Sequence, residues 1–169
     1  MRKKMGFVKP LSVLVCLHSC FIFPLYGATL SFLVIETGVR QGSPVQESSQ
    51  RWETGLMDAF FEAGHIVSNA AIMQVPRRPE GEFPQEAQGK LQEAIAGGSD
   101  FFILVLMEYP GTREHPSPRP QSISLKLFSI QPYHSIGEQH YPQTISKSPS
   151  EELLEVKKAA RIFLAYLGG

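Results

Sequence analysis

Of the residue types that do chemistry, the stretch from residue 29 onward holds four histidines, His65, His115, His134 and His140, and only two aspartates, Asp58 and Asp100. His134 and His140 flank a predicted hairpin tip, where they could approach each other as ligands for zinc or copper. They lack a third ligand at short spacing and have the neighbours of a solvated turn, so no metal and no cofactor is assigned. Asp58 falls within an amphipathic helical pattern and Asp100 opens a strand, which leaves carboxylate-pair hydrolysis and two-metal chemistry short of ligands. Gly97-Gly98 precedes a strand rather than opening a helix, so it is not a phosphate cradle, and no Gly-x-Ser-x-Gly elbow occurs. No catalytic residue emerges. The contact candidates are Arg77 and Arg78, beside Glu80 and Glu82, and Phe61, which lies off the inward face formed by Trp52 and Phe60.

The elements that must position these residues read β-α-β-α-β-β-β-α. Thr29 to Gly38 is an apolar run that predicts a buried first strand, and a helix capped by Ser48 or Ser49 follows, with Trp52, Leu56, Ala59, Phe60 and Ala63 inward and Gly64 as its stop. His65 to Met73 predicts one strand, and a Pro-rich loop carries Arg77 and Arg78. A second helix spans Gln85 to Ala96. Phe101 to Met107 is apolar at every position, as in a central strand covered on both faces. Ser122 to Ile130 alternates, which predicts a half-solvated strand, and a long tip over Gln131 to Gly137 leads to a shorter strand at Glu138 to Thr144. Ser148-Pro149-Ser150-Glu151 is a capping box with proline at the first helical position. It opens a last helix whose apolar face is Leu153, Val156, Ala160, Phe163, Leu164 and Leu167. The expected architecture is α/β, three helices on a mixed sheet of about five strands, in a single domain over residues 29–169.

Residues 1–28 predict an export signal. Arg2, Lys3, Lys4 and Lys9 precede an apolar stretch from Leu11 to about Phe23, and small residues stand at Gly27 and Ala28. Three fates are open: cleavage near Ala28, lipidation at Cys20, or retention as an anchor, the last two bringing membrane contact. Both cysteines, Cys16 and Cys20, lie in this segment, so cleavage leaves no thiol. It also removes four of the 16 Lys and Arg and none of the 16 Asp and Glu, leaving 12 against 16. That balance argues against a basic nucleic-acid surface.

Leu56 to Val67, Ala96 to Val105 and the Ser124–Gln139 region resemble, in order, a helix and following strand, a central-strand entry, and a hairpin of a small α/β domain in bacterial envelope proteins. These are the curli-secretion lipoprotein CsgG, the penicillin-binding-protein activator LpoB and the N-terminal domain of TolB. The resemblance implies a domain that binds other envelope proteins or its own kind, without catalytic residues. The expected function is an exported, non-catalytic module in the periplasm or cell envelope, partnered by another envelope protein or by itself. A periplasmic small-ligand or metal-binding protein is the alternative, and an enzyme the third.

Overall fold

The computed structural model describes residues 27–110, 117–142 and 148–167. Residues 1–26, with Cys16 and Cys20, and His115 lie outside the described residues. The chain runs β1 (Thr29–Thr37), α1 (Glu47–Glu62), β2 (Ile66–Asn69), β3 (Met73–Val75), a 3-10 turn (Gln85–Ala87) leading into α2 (Gln88–Ala96), β4 (Phe101–Glu108), β5 (Ser122–Ile130), β6 (Tyr133–Pro142) and α3 (Pro149–Leu167). All six strands share one sheet in the order β2-β1-β4-β5-β6, with β3 also on β1. Pairings of β1 with β2, β3 and β4 are parallel; those along β4-β5-β6 are antiparallel.

Crossover handedness builds the layers. From β1 the chain passes through α1 to β2 on one side of β1, and then through α2 to β4 on the other; right-handed crossovers put those helices on opposite faces. One core joins Phe32, Trp52, Phe60, Ile103, Val156 and Phe163 beneath α1 and α3. The other joins Leu33, Leu91, Phe102, Leu104 and Phe128 beneath α2. β4 is therefore covered on both faces, as its unbroken apolar run predicts.

Four expectations are corrected. The single strand over His65–Met73 is two: β2 pairs with Thr29–Phe32 and β3 with Ile35–Thr37, and between them Ala70 N–H donates to Phe32 O (2.9 Å) as the chain leaves the ladder. The sheet therefore has six strands, in keeping with the expected mixed sheet of about five. β5 is not half-solvated. The Pro-rich loop folds over its polar face, Phe83 packs on Phe102 and Phe128, and Lys126 Nζ reaches the carbonyls of Gly81 (3.4 Å) and Glu82 (3.1 Å). The hairpin tip is not long either, because β6 begins directly after Pro132. Finally, neither Ser48 nor Ser49 caps α1; Gln46 holds the N-cap position without a side-chain cap, and both serines are buried in the first turn. The capping box of α3 forms as expected, with Ser148 N–H donating to Glu151 Oε2 (2.8 Å) and Glu151 N–H to Ser148 Oγ (3.3 Å).

Candidate functional site

In an open α/β sheet the natural crevice lies outside the carboxyl ends of the two strands where the strand order reverses, here β1 and β4. The β1–α1 connection and the Tyr109 region meet there. Glu36, the one charged residue in the apolar run of β1, is fully buried. Its Oε1 accepts from Gln46 N–H (2.8 Å) at the start of α1, where the helix dipole favours negative charge. Its Oε2 accepts from Gln74 Nε2 (2.9 Å) on β3. Gln74 Nε2 also donates to Ser43 O (3.1 Å), and its Oε1 accepts from Gly42 N–H (2.9 Å), so one amide pins the whole β1–α1 loop. The place where a bound phosphate would meet the helix N-terminus is thus held by a side-chain carboxylate.

A second carboxylate joins the helices. Glu152 of α3 accepts from Ser48 Oγ and Trp52 Nε1 (3.1 Å) at Oε1, and from Arg51 Nε (2.7 Å) at Oε2. Partial burial works against the Arg51 charge, but its hydrogen bonds to Glu152 and Glu47 more than offset this and hold its pKa above the ordinary value. Ser49 Oγ and the Tyr109 hydroxyl share a hydrogen bond of 2.7 Å. Burial pushes the Tyr109 phenol far above its ordinary 10.0, against the opposing effect of Ser49 and with the Glu36 charge adding to it. Tyr109 is consequently a hydrogen-bonding strut and not a general base at neutral pH.

The sign of that displacement gives a prediction. The unfolded chain releases the phenol proton from about pH 10 while the folded chain keeps it, so stability is intact below pH 10 and falls above it, by at most about 1.4 kcal/mol per pH unit for this group. Denaturant midpoints measured between pH 9 and 11 should fall, and Tyr109→Phe should flatten the fall. An equal slope in the variant would assign it to other groups.

The structure separates the residues singled out from sequence. His134 and His140 do not come together. Both lie in β6, roughly 20 Å apart along the strand at ~3.3 Å per residue. Leu127 pairs with Gly137 and Phe128 with Ser135, so Ile136 is an extra residue that inverts the alternation. His140, opposite Ser124, faces the α2 side and accepts or donates at 3.0 Å to Ser124 Oγ; His134, opposite Ser129, faces the α1–α3 side. Among the described residues no three His, Cys, Asp or Glu side chains are grouped to hold a metal. His65 accepts from Ala28 N–H (3.1 Å) through Nδ1 and anchors the start of β1.

Phe61 is 69% exposed on the last turn of α1. Arg77 and Arg78 follow β3 at the other end of the sheet, where Arg78 Nη1 pairs with Glu108 Oε2 (3.4 Å) and Arg77 is exposed. The three do not form one patch. Two further depressions are present among the described residues. One of about 390 Å³ lies between β2 and α2, where Ser31 Oγ bonds Ser68 Oγ (2.9 Å) and Ser99 Oγ (2.7 Å) beside Lys90 and Glu93. The other, of about 700 Å³, runs between α1 and α3. Sequence reasoning missed Glu36 and Glu152, although a charge inside an apolar run and a Glu one turn before Val156 on the inward face of α3 were both visible.

Fold and site together define a three-layer mixed α/β domain whose switch point is closed by its own side chains. No family model matches the chain, and no curated protein matches it. Solved structures similar to it include the PelC dodecamer from Paraburkholderia phytofirmans, with 12% identity, coverage of 78% of this chain and 84% of that one, and a TM-score of 0.40. Lipoprotein GNA1162 from Neisseria meningitidis shares 13% identity over 82% of this chain and 99% of that one (TM-score 0.40). Protein XCC0632 from Xanthomonas campestris, of family model DUF330, shares 11% over 83% and 85% (TM-score 0.35). The finer resemblance to CsgG, LpoB and TolB gains no support from these structures, and likenesses this distant set no function for the chain.

Proposed function

We propose that this chain is an exported, non-catalytic protein of the cell envelope that acts by binding another protein. The observation that carries the reading is the saturation of the switch point. Glu36 and Gln74 spend their hydrogen-bonding groups on each other and on the loop backbone, Ser49 and Tyr109 bond each other, and Glu152 is taken up by Ser48, Arg51 and Trp52, which makes a rigid platform rather than an open reactive cavity. Above it stand the β1–α1 loop and the loop bearing Arg77, which offer contact area on a fixed base. The basic and apolar composition of residues 1–28 supports export.

Intact mass of the chain recovered from fractionated cells tests the export half. A processed or acylated chain in an envelope or periplasmic fraction supports it; a full-length chain in the cytosol removes it. A second reading, binding of a small polar ligand, is favoured by the serine-lined groove between β2 and α2. A ligand there must raise the melting temperature by mass action, and Ser31→Ala must abolish the rise.

A further inference from the structure

The outer surface of the helix layer is segregated by charge. Arg51 of α1 is turned to Glu47 and Glu152, Glu53 accepts from Asn69 Nδ2 on β2 (3.0 Å), and beyond them α1 carries Asp58 and Glu62 with no further base. α3 beyond Glu155 carries Lys157, Lys158 and Arg161 and no acid. Arg51 and Glu152 form an ion pair between the two helices, near their first turns. Farther down, the acidic and basic stripes lie side by side, and Phe61 (69%), Leu154 (61%) and Ile162 (48%) stand exposed between and beside them.

Both helices start at the carboxyl end of the sheet, so they run parallel, and their register is set where Gly55 meets Val156: a Cβ on Gly55 would stand 2.8 Å from Val156 Cγ1. At 1.5 Å per residue, Asp58 and Glu62 lie about 5 and 10 Å beyond this contact, and Lys158 and Arg161 about 3 and 8 Å beyond it. Acid and base therefore occupy the same depth. A two-fold axis parallel to the helices preserves depth while exchanging α1 for α3. It sets the acidic stripe of each copy on the basic stripe of the other, twice over, and brings the two α1–α3 grooves face to face with the exposed apolar side chains around them.

We infer that a second copy of this chain docks on the α1–α3 face through this self-complementary pattern. An anionic lipid surface would suit α3 alone, since the acidic α1 half of the same layer repels it. The inference stands on the helix layer and is independent of the partner taken at the loop end.

Sedimentation velocity of the processed chain, run over a range of concentrations and at low and high salt, reads the association. The expected result is a dimer that weakens with salt. Asp58→Lys alone and Lys158→Glu alone each place like charges opposite one another and should weaken the dimer about tenfold or more. The two single variants mixed in equal amounts should recover it, because each then meets its complement at both contacts. Both positions are exposed, and circular dichroism confirms the fold of each variant. A chain monomeric at every concentration, or a dimer indifferent to both reversals and to their mixing, overturns the inference. So does a monomer that binds phosphatidylglycerol vesicles through Lys158.

Discussion

Glu152→Ala is expected to lower the stability of the domain by about 3 kcal/mol, or roughly 10 °C in melting temperature for a domain of this size. The carboxylate serves three donors at once, from Ser48, Arg51 and Trp52. Its removal leaves the Trp52 indole N–H buried without an acceptor, at about 1–3 kcal/mol, and takes the carboxylate partner from the buried Ser48 hydroxyl. Arg51 remains partly exposed and can turn to water, which keeps the total toward the lower end of what a broken buried pair costs. Glu152→Gln retains one acceptor for Trp52 and should cost about half as much. Chemical denaturation of the three chains checks this, and equal stabilities would mean that the joint between α1 and α3 rests on apolar packing alone.

Gly38→Ala is expected to cost about 4 kcal/mol. Gly38 has φ +78° and stands at the end of β1, where an added Cβ would lie 2.1 Å from the Tyr109 backbone carbonyl. Two penalties combine: a left-handed conformation costs an alanine about 1–2 kcal/mol, and the end of β4 must move away from β1 to clear the clash. That movement strains the bond from Tyr109 N–H to Thr37 O (2.9 Å) and the Tyr109–Ser49 strut. Gly42 is the internal control. Its φ is +79° but nothing lies within 4 Å of an added Cβ, so Gly42→Ala should cost only the conformational part, about 1 kcal/mol. Similar losses at the two positions would show that the close approach to Tyr109 does not matter.

The elements that the sequence discloses are those whose signals are local. The capping box at Ser148–Glu151, the apolar run of β4 and the inward spacing of Trp52, Leu56 and Phe60 each need only a few neighbouring residues to be read, and all are found in the structure. What escapes is decided at long range. The alternation of β5 is that of a half-solvated strand, and only the return of the loop bearing Phe83 and Gly81 covers its polar face. The extra residue Ile136 in β6 sends His134 and His140 to opposite faces, and no local pattern marks it. Ser48 and Ser49 have the chemistry of caps, yet Glu152 and Tyr109, about 100 and 60 residues away, take their hydroxyls inward. Glu36 and Glu152 stayed hidden because a lone carboxylate in an apolar pattern has no meaning until its donors are known.

The claim that this platform works by binding protein at its loop end is tested most directly by photo-crosslinking in living cells. A photoreactive residue replaces Arg77 in one chain and Gln92, exposed on α2, in another. A reproducible crosslinked adduct with an envelope protein is expected from position 77 and none from position 92. Adducts from both positions alike, or from neither, would contradict it.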